Sequence, residues 1–338
     1  MLARRAYLQW LAQAASAPVW AQSVAHSPHG LAWPGQAINL IVPFPAGGTS
    51  AILAKQLAQT FERTTQHPLK LHYQSGGGGF QGANFAAKAP ANGQHLFIGG
   101  SHLAVARALI SSESFDLMED LRPLALVAMV PQVIVVNPAR MRSRTAMEWL
   151  AELTRKSARY RMATAGVGSA SHITAEILKH QEALRFDLVH FRGSGPALQD
   201  LLAGSVDMMI DGLIACLPHI RSGRLKALMV TGGQRADVLP DVPCAQEMGV
   251  SALDSVTWYG IFAQQQLVDS HAAAIVHVFK RMGEDPTLDK NFRELGIRWG
   301  GLYGDAFTSM VQQETMAWAQ RVKNMGLTSL WLKNAGLD

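Results

Sequence analysis

Residues 38–50 restrict the fold of this chain more than any other segment. An apolar β-type run is stopped by two prolines and followed by a glycine pair and two hydroxyl residues. The pattern predicts a strand, a tight loop and a helix that starts near Ala51, with Thr49 or Ser50 as its cap. Because the first N–H groups of a helix have no partner within it, such a loop can hold an anion. Loops that bind nucleoside triphosphates have a Lys after the glycine, but no Lys follows Gly48. A carboxylate is therefore the expected ligand.

Two later strand-to-helix loops repeat this composition. Residues 163–172 place glycines and hydroxyl side chains between a β-type run and a helix start, and Arg192 and Gly193 begin a third loop. One such loop is common, whereas two that open different α/β units predict a cleft in which both contact one anion. Arg192 could meet a carboxylate through two hydrogen bonds or face solvent. We expect His172 to form a local hydrogen bond.

Asp211 follows a short apolar run and is a further candidate ligand contact. It could orient a hydrogen-bond donor or accept a hydrogen bond from a ligand hydroxyl or ammonium group. Equally, it could only cap a helix that starts at Gly212. The residues around it leave these alternatives open.

β-type runs and helical patterns alternate along most of the chain, which is typical of an α/β fold with largely parallel sheets. Two β-type stretches, near residues 130–136 and 255–262, are interpreted as crossings between two lobes. A double crossing forms a hinge about which the lobes can close on a ligand. The expected domains are an export signal at 1–21, a first lobe from 34–133 and 257–338, and a second lobe from 134–256. Two C-terminal helices, at 271–282 and 305–325, would return to the first lobe.

The distribution of charge favours a small anion as the ligand and argues against nucleic acid. The formal net charge is +5, and Glu62 is the one acidic residue among the first 112. A lobe nearly free of carboxylates attracts anions, although this composition could also be accidental. The basic excess is too thin for binding nucleic acid, which requires a concentrated basic face.

The N-terminus predicts secretion to the periplasm. Arg4 and Arg5 precede a modestly apolar stretch and a small residue at Ala21, which is typical of a signal peptide of either the Sec or the twin-arginine route. Cys216 and Cys244 could pair in an oxidising compartment if their Cα atoms lie within ~7 Å. Two unpaired thiols, at least one of them buried, are the favoured alternative.

Motifs for catalysis, metals and cofactors are missing from the sequence. It contains neither a G-x-S-x-G elbow nor an H-E-x-x-H motif. Apart from His26 and His29 near the N-terminus, its histidines do not fall at metal-ligand spacings. Residues 77–82 match G-x-G-x-x-G, but no Asp or Glu follows before residue 113 to bind a ribose hydroxyl. The sequence therefore predicts a binding protein without enzymatic activity, cofactor or metal.

From Trp33 onward the chain resembles the periplasmic substrate-binding proteins of tripartite tricarboxylate transporters, the Bug family. Seven segments carry the resemblance, in the family's order along the chain. They are Ile41-Val42-Pro43-Phe44-Pro45-Ala46-Gly47-Gly48, Gly78-Gly79 with Gly82-Ala83, Gly166-Val167-Gly168-Ser169-Ala170-Ser171-His172, Arg192-Gly193-Ser194-Gly195-Pro196-Ala197-Leu198, Leu217-Pro218-His219-Ile220, Leu239-Pro240-Asp241-Val242-Pro243 and Trp258-Tyr259-Gly260-Ile261-Phe262-Ala263.

The resemblance implies a type II periplasmic-binding-protein fold, a two-lobed Venus flytrap of mixed sheets flanked by helices. It implies a small carboxylate, amino acid or aromatic acid as ligand, and membrane subunits of such a transporter or a sensor kinase as partners. A monomer is expected. The candidate ligand contacts are Phe44, Ala46, Gly47, Gly48, Thr49, Ser50, Ser101, Thr164, Ala165, Gly168, Ser169, Arg192, Gly193 and Asp211.

Two departures from the family pattern prevent the ligand from being transferred by analogy. Ala51 stands where the family commonly has Asp, so an anion is missing from the first turn of the predicted helix. Such an anion would stabilise the helix start by ~0.3–1 kcal/mol, and without it the loop is more receptive to a negative ligand. Phe191 and Arg192 replace the usual Tyr-Lys, which keeps the charge but changes its geometry.

Overall fold

Ten β-strands form two sheets in the part of the chain that the structure describes. This computed structural model describes Trp33 and residues 35–324, apart from 110–114, 156–158, 182, 251–252 and 254–255. The expected export signal, residues 1–21, lies outside the described residues and stays a prediction. The strands are β1 (Ile38–Val42), β2 (Leu69–Tyr73), β3 (His95–Gly100), β4 (Leu121–Val130), β5 (Gln132–Val136), β6 (Arg161–Thr164), β7 (Asp187–His190), β8 (Met208–Gly212), β9 (Lys226–Val230) and β10 (Thr257–Gln264).

Both sheets have the same strand arrangement. The first sheet has the order β2-β1-β3-β10-β4 and the second has the order β7-β6-β8-β5-β9. The first three strands of each order are parallel, and the fourth strand is antiparallel to both of its neighbours. The predicted α/β fold with two lobes is confirmed. We call the part built on the first sheet the first lobe and the part built on the second sheet the second lobe.

The antiparallel strand of each sheet follows a crossing from the other sheet. The chain leaves the first sheet at Val130 and enters the second at Gln132, with Pro131 between them. It returns to the first sheet at Thr257. Strand β5 thus starts two residues before the lobe boundary that the sequence predicts at residue 134. The two crossings place β5 and β10 in the lobe opposite to the strand that precedes each of them.

Helices cover both sheets, and among the described residues none is long and apolar enough to cross a membrane. A short 3-10 turn, Gly77–Gly79, precedes the second helix. The α-helices are α1 (Thr49–Thr65), α2 (Phe80–Ala87), α3 (Ser101–Leu109), α4 (Leu117–Asp120), α5 (Ala146–Leu153), α6 (Ala170–Gln181), α7 (Ser194–Ala203), α8 (Leu213–Arg221), α9 (Asp269–Gly283), α10 (Pro286–Glu294) and α11 (Asp305–Asn324).

Helix α1 begins two residues earlier than the sequence predicts. Its N-cap is Gly48, which has extended backbone dihedrals and offers no side chain to the free N–H groups. Thr49 and Ser50 are therefore the first helical residues, and the prediction that one of them caps the helix is wrong. Leu53, Leu57 and other apolar residues four positions apart bury one face of α1 in the first lobe, so packing fixes the helix without a capping side chain.

The C-terminal region contains three helices where the sequence pattern predicts two. The additional helix, α10, follows Asp285, whose side chain accepts hydrogen bonds from the N–H groups of Thr287 and Leu288. Only Leu288 and Phe292 of α10 are buried, so its apolar pattern is too sparse to predict a helix. The Asp-Pro pair at its start is a helix signal that could have revealed it. Helices α9 and α11 both contact β4 and so return to the first sheet.

The core is aromatic where β10 meets α11. Phe307 packs against Trp258 and Phe262 with ring centroids 5.7 and 5.5 Å apart, and all three side chains are buried. This packing fixes the last long helix on the returning strand. In the second lobe, Cys216 and Cys244 are both buried free thiols, so the disulfide alternative is not formed in this structure.

Candidate functional site

Four helices begin at one cavity. Helices α1, α6 and α7 follow the parallel strands β1, β6 and β7, and α8 follows β8. The cavity wall includes Thr49 and Ser50 from the start of α1, Ala170 from α6, Ser194 from α7 and Gly212, the N-cap of α8. α1 belongs to the first lobe and the other three helices belong to the second. The cavity therefore lies between the lobes, at the strand ends where α/β proteins bind ligands.

The helix starts make this cavity electropositive. None of the four helices has an acidic residue in its first turn. Each helix N-terminus acts like about half a positive charge, because its first N–H groups are unsatisfied. The hydroxyl oxygens of Thr49 and Ser50 are buried, with 3% and 2% of the residues exposed, and have no hydrogen-bond partner. An anionic oxygen in the cavity would satisfy these groups.

The loop before α6 is held in shape by its own side chains. The Ser169 hydroxyl donates to the Gly166 carbonyl oxygen at 2.6 Å and accepts from the His172 N–H at 3.3 Å. The Ala165 N–H donates to the Ser171 hydroxyl at 2.9 Å. The hydroxyl groups of Ser169 and Ser171 are therefore engaged in hydrogen bonds that stabilise the loop itself. The N–H of Gly168 donates to Nδ1 of His172, which confirms that His172 bonds locally.

Asp211 places a carboxyl group inside the same cavity. It is 7% exposed, and burial raises its pKa to about 6, although interactions with the Ser194 hydroxyl and the Gly212 N–H partly oppose that rise. Its Oδ2 atom is buried and has no hydrogen-bond partner. Burial and the nearby Asp211 charge also raise the pKa of Tyr259. Gly212 is the N-cap of α8 and no side chain caps that helix, so Asp211 is not a helix cap.

Six of the predicted contacts line this cavity together: Phe44, Thr49, Ser50, Ala165, Ser169 and Asp211. Ser101 lines a second cavity beside it. Thr164 lies outside the cavity wall and bonds Nδ1 of His190 at 2.8 Å. Arg192 is exposed and is not part of the cavity wall.

The remaining predicted residues form direct contacts between the loops of the two lobes. A β-carbon on Gly193 would lie 2.6 Å from Cγ of Pro45, and one on Gly195 would lie 3.0 Å from the Ala46 carbonyl oxygen. Gly47 faces Gly195 in the same contact. A β-carbon on Gly48 would lie 3.2 Å from Cβ of Ser194. Gly168 approaches Gly78 of the first lobe. These glycines therefore allow the lobes to approach each other closely around the cavity.

Sequence reasoning missed the walls that come from the crossing strands and from α3. Gln132 begins β5, Thr257 and Tyr259 belong to β10, and His102 follows Ser101. Burial lowers the pKa of His102 to about 4, so its imidazole is neutral at pH 7. Gln132 stands directly after a proline in an otherwise apolar stretch, and that polar interruption is the signal that could have revealed it.

A second cavity adjoins the first. Four residues line both cavities: His102, Gln132, Ala170 and Thr257. The second cavity has apolar walls from α6 and α11, together with Glu314. The structure describes no group of three or more His, Cys, Asp or Glu residues placed to hold a metal ion.

Comparison with known proteins identifies the family. Residues 53–327 match the model of the tripartite tricarboxylate transporter family receptor. The chain is 30% identical to protein BugT of Bordetella pertussis over 291 residues, an alignment that covers 80% of this chain and 89% of BugT.

Solved structures agree with that assignment. The chain is similar to the periplasmic binding protein BugD, with a TM-score of 0.83, 26% identity and coverage of 88% of this chain and 99% of BugD. It is also similar to MatC of Rhodopseudomonas palustris with bound malate, with a TM-score of 0.78, 26% identity and coverage of 85% and 99%. This chain belongs to the tripartite tricarboxylate transporter receptor family and is a solute-binding protein with the two-lobed periplasmic-binding-protein fold.

Proposed function

We propose that this protein captures a small carboxylate between its lobes and delivers it to membrane subunits of a tripartite tricarboxylate-type transporter. The proposed lobes are 34–133 with 257–338, and 134–256, except that Gln132 and Val133 belong to β5 of the second sheet. The main support for this proposal is that four helix N-termini and two unpartnered hydroxyl groups surround one cavity. After removal of residues 1–21, the chain would act in the periplasm as a monomer without enzymatic activity.

Hydrogen bonds to the ligand carboxylate would provide most of the affinity. Bonds to a charged group contribute about 1.5–3 kcal/mol each, and the N–H groups at the starts of α1 and α6 supply several donors. The malate bound to MatC supports a carboxylate as the ligand class. We propose the α1 and α6 starts as the primary carboxylate contacts, with the glycine contacts between the loops permitting closure.

Replacement of Gly48 tests this site. Its φ of −89° suits any residue, and an Asp there would be a favourable N-cap that fills the α1 N-terminus with its own carboxylate. Gly48→Asp should therefore fold normally but weaken carboxylate binding at least a hundredfold, measured by calorimetry with acids selected from a thermal-shift panel. Gly48→Ala is the matched control, because it adds the same β-carbon near Ser194 without an anion. Equal affinity of Gly48→Asp and the wild type would show that the carboxylate binds elsewhere.

The transport role needs a separate measurement. Uptake of the selected radiolabelled acid would be compared in cells that express the membrane subunits with wild-type protein or with Gly48→Asp. We expect uptake only with the wild type. Equal uptake without the binding protein would contradict the proposed partnership while leaving the binding site intact.

A further inference from the structure

The two neighbouring cavities form one cleft with chemically different halves. We call the cavity at the four helix starts the near half, and the adjoining cavity at α11 the far half. Since they share His102, Gln132, Ala170 and Thr257 as walls, a ligand held in the near half can extend into the far half.

The near half has room for one anionic group. Its four helix starts together supply about two positive charges, as each contributes about half of one. Asp211 already places one carboxyl group among them, and its Oδ2 lacks a partner. One ligand carboxylate would balance the remainder, whereas a second carboxylate in this half would face Asp211 without a counterion.

The far half is unsuited to a second ligand carboxylate. Among the described residues, no Lys or Arg lines either half, and His102 is neutral at pH 7 because burial lowers its pKa to about 4. The charged group there is Glu314, whose Oε2 accepts a hydrogen bond from Nε1 of Trp318 at 3.0 Å. The Glu314 side chain is half-buried. Ile173 and Ile177, which follow the start of α6 at Ala170, provide apolar walls of the far half.

We infer that the ligand has one carboxylate for the near half, an apolar middle and a cationic hydrogen-bond donor, such as an ammonium group, for Glu314. This inference rests on the proposed function, since it uses the same cleft. It implies discrimination against dicarboxylates, because a distal carboxylate would meet the like charge of Glu314 at a half-buried position.

Three acids of matched length test the inference: 6-aminohexanoate, hexanoate and adipate, which differ only at the far end. Calorimetry at pH 7.5 should give the tightest binding for 6-aminohexanoate, with adipate at least tenfold weaker. Glu314→Gln keeps an acceptor for Trp318 but removes the charge, so it should reduce that preference at least tenfold. Glu294→Gln, which removes an exposed carboxylate of α10, is the matched control and should leave the preference unchanged.

The outcomes separate this inference from the proposed function. Binding of adipate or hexanoate as tight as that of 6-aminohexanoate, abolished by Gly48→Asp, overturns the inference and keeps the carboxylate site. An unchanged preference in Glu314→Gln also overturns it. If none of the three acids binds the wild type, both the inference and the proposed near-half site fail.

Discussion

At the scale of single residues, Asp211 is the group whose ionisation most directly reports on the cleft. Burial raises its pKa from an ordinary value of 3.8 to about 6. A carboxyl group with a higher pKa in the folded chain binds its proton more tightly when the chain is folded. It therefore favours the folded state fully below pH 3.8, and this stabilisation is lost as pH rises through 6. The native protein retains a buried charge at neutral pH.

Asp211→Asn removes the buried charge of Asp211, so it should stabilise the folded state at neutral pH but not at acidic pH. Relative to wild type, the free energy of unfolding of the variant should rise by roughly 2 kcal/mol between pH 4 and pH 7.5, since one pKa unit corresponds to about 1.4 kcal/mol. Urea denaturation at the two pH values measures this difference. Asp237→Asn, at an exposed position, is the control. A stability difference independent of pH would show that Asp211 is not perturbed by burial.

At the scale of elements, the loops at the cleft contact each other across the lobes. A β-carbon at Gly78, in the 3-10 turn before α2, would overlap the Val167 carbonyl oxygen in the loop before α6. Gly77 also has a positive φ, of 55°, but its nearest neighbour would be Cβ of Phe80 in its own lobe, 3.5 Å away. A substitution at either glycine would strain the backbone, but only one at Gly78 would also disturb the contact between the lobes.

Comparison of Gly78→Ala with Gly77→Ala tests whether this contact supports ligand binding. Both variants strain a left-handed backbone, and such strain costs about 1 kcal/mol in each. Only Gly78→Ala also pushes the lobes apart, so its affinity for the acid that binds the wild type should fall at least tenfold below that of Gly77→Ala. Calorimetry gives the affinities and thermal denaturation checks that the stabilities match. Equal affinities would mean that the loops need not touch in the bound state.

At the scale of the whole molecule, buried neutral histidines make the fold sensitive to acid. Burial lowers the pKa of His102 to about 4 and that of His172 to about 3, from 6.5. Below pH 6.5 the unfolded chain takes up protons that the folded chain excludes, so stability falls as pH decreases towards 3. Protonation of Asp211 raises the stability of the folded state on acidification, but this single group only partly offsets the two histidines.

Urea denaturation should therefore show a net loss of roughly 3 kcal/mol between pH 6.5 and pH 4.5. His172→Gln should reduce this loss, because Gln can accept the Gly168 N–H hydrogen bond without taking up a proton. A midpoint that stays constant or rises on acidification would contradict the assignment of these histidines as buried and neutral.

Local patterns in the sequence were sufficient to predict the α/β class, the loops of the cleft and the family. Strand, glycine loop and helix start are encoded within about a dozen neighbouring residues, and their conformations depend mostly on local sterics and backbone hydrogen bonds. The segments 44–50 and 164–169 were correctly placed at strand-to-helix turns for that reason. Helix α10 was missed because its buried face has only two residues.

Only the tertiary structure decided which side chains surround the cleft. Thr49 and Ser50 line it as helical residues, while Thr164 and Arg192 from equally promising loops do not. Its other walls come from residues far apart in sequence, such as Gln132 and Glu314, which the two crossings and the return of α11 bring to one place. A local pattern can specify where a helix starts, but a shared cavity depends on how both lobes pack, which no short segment encodes.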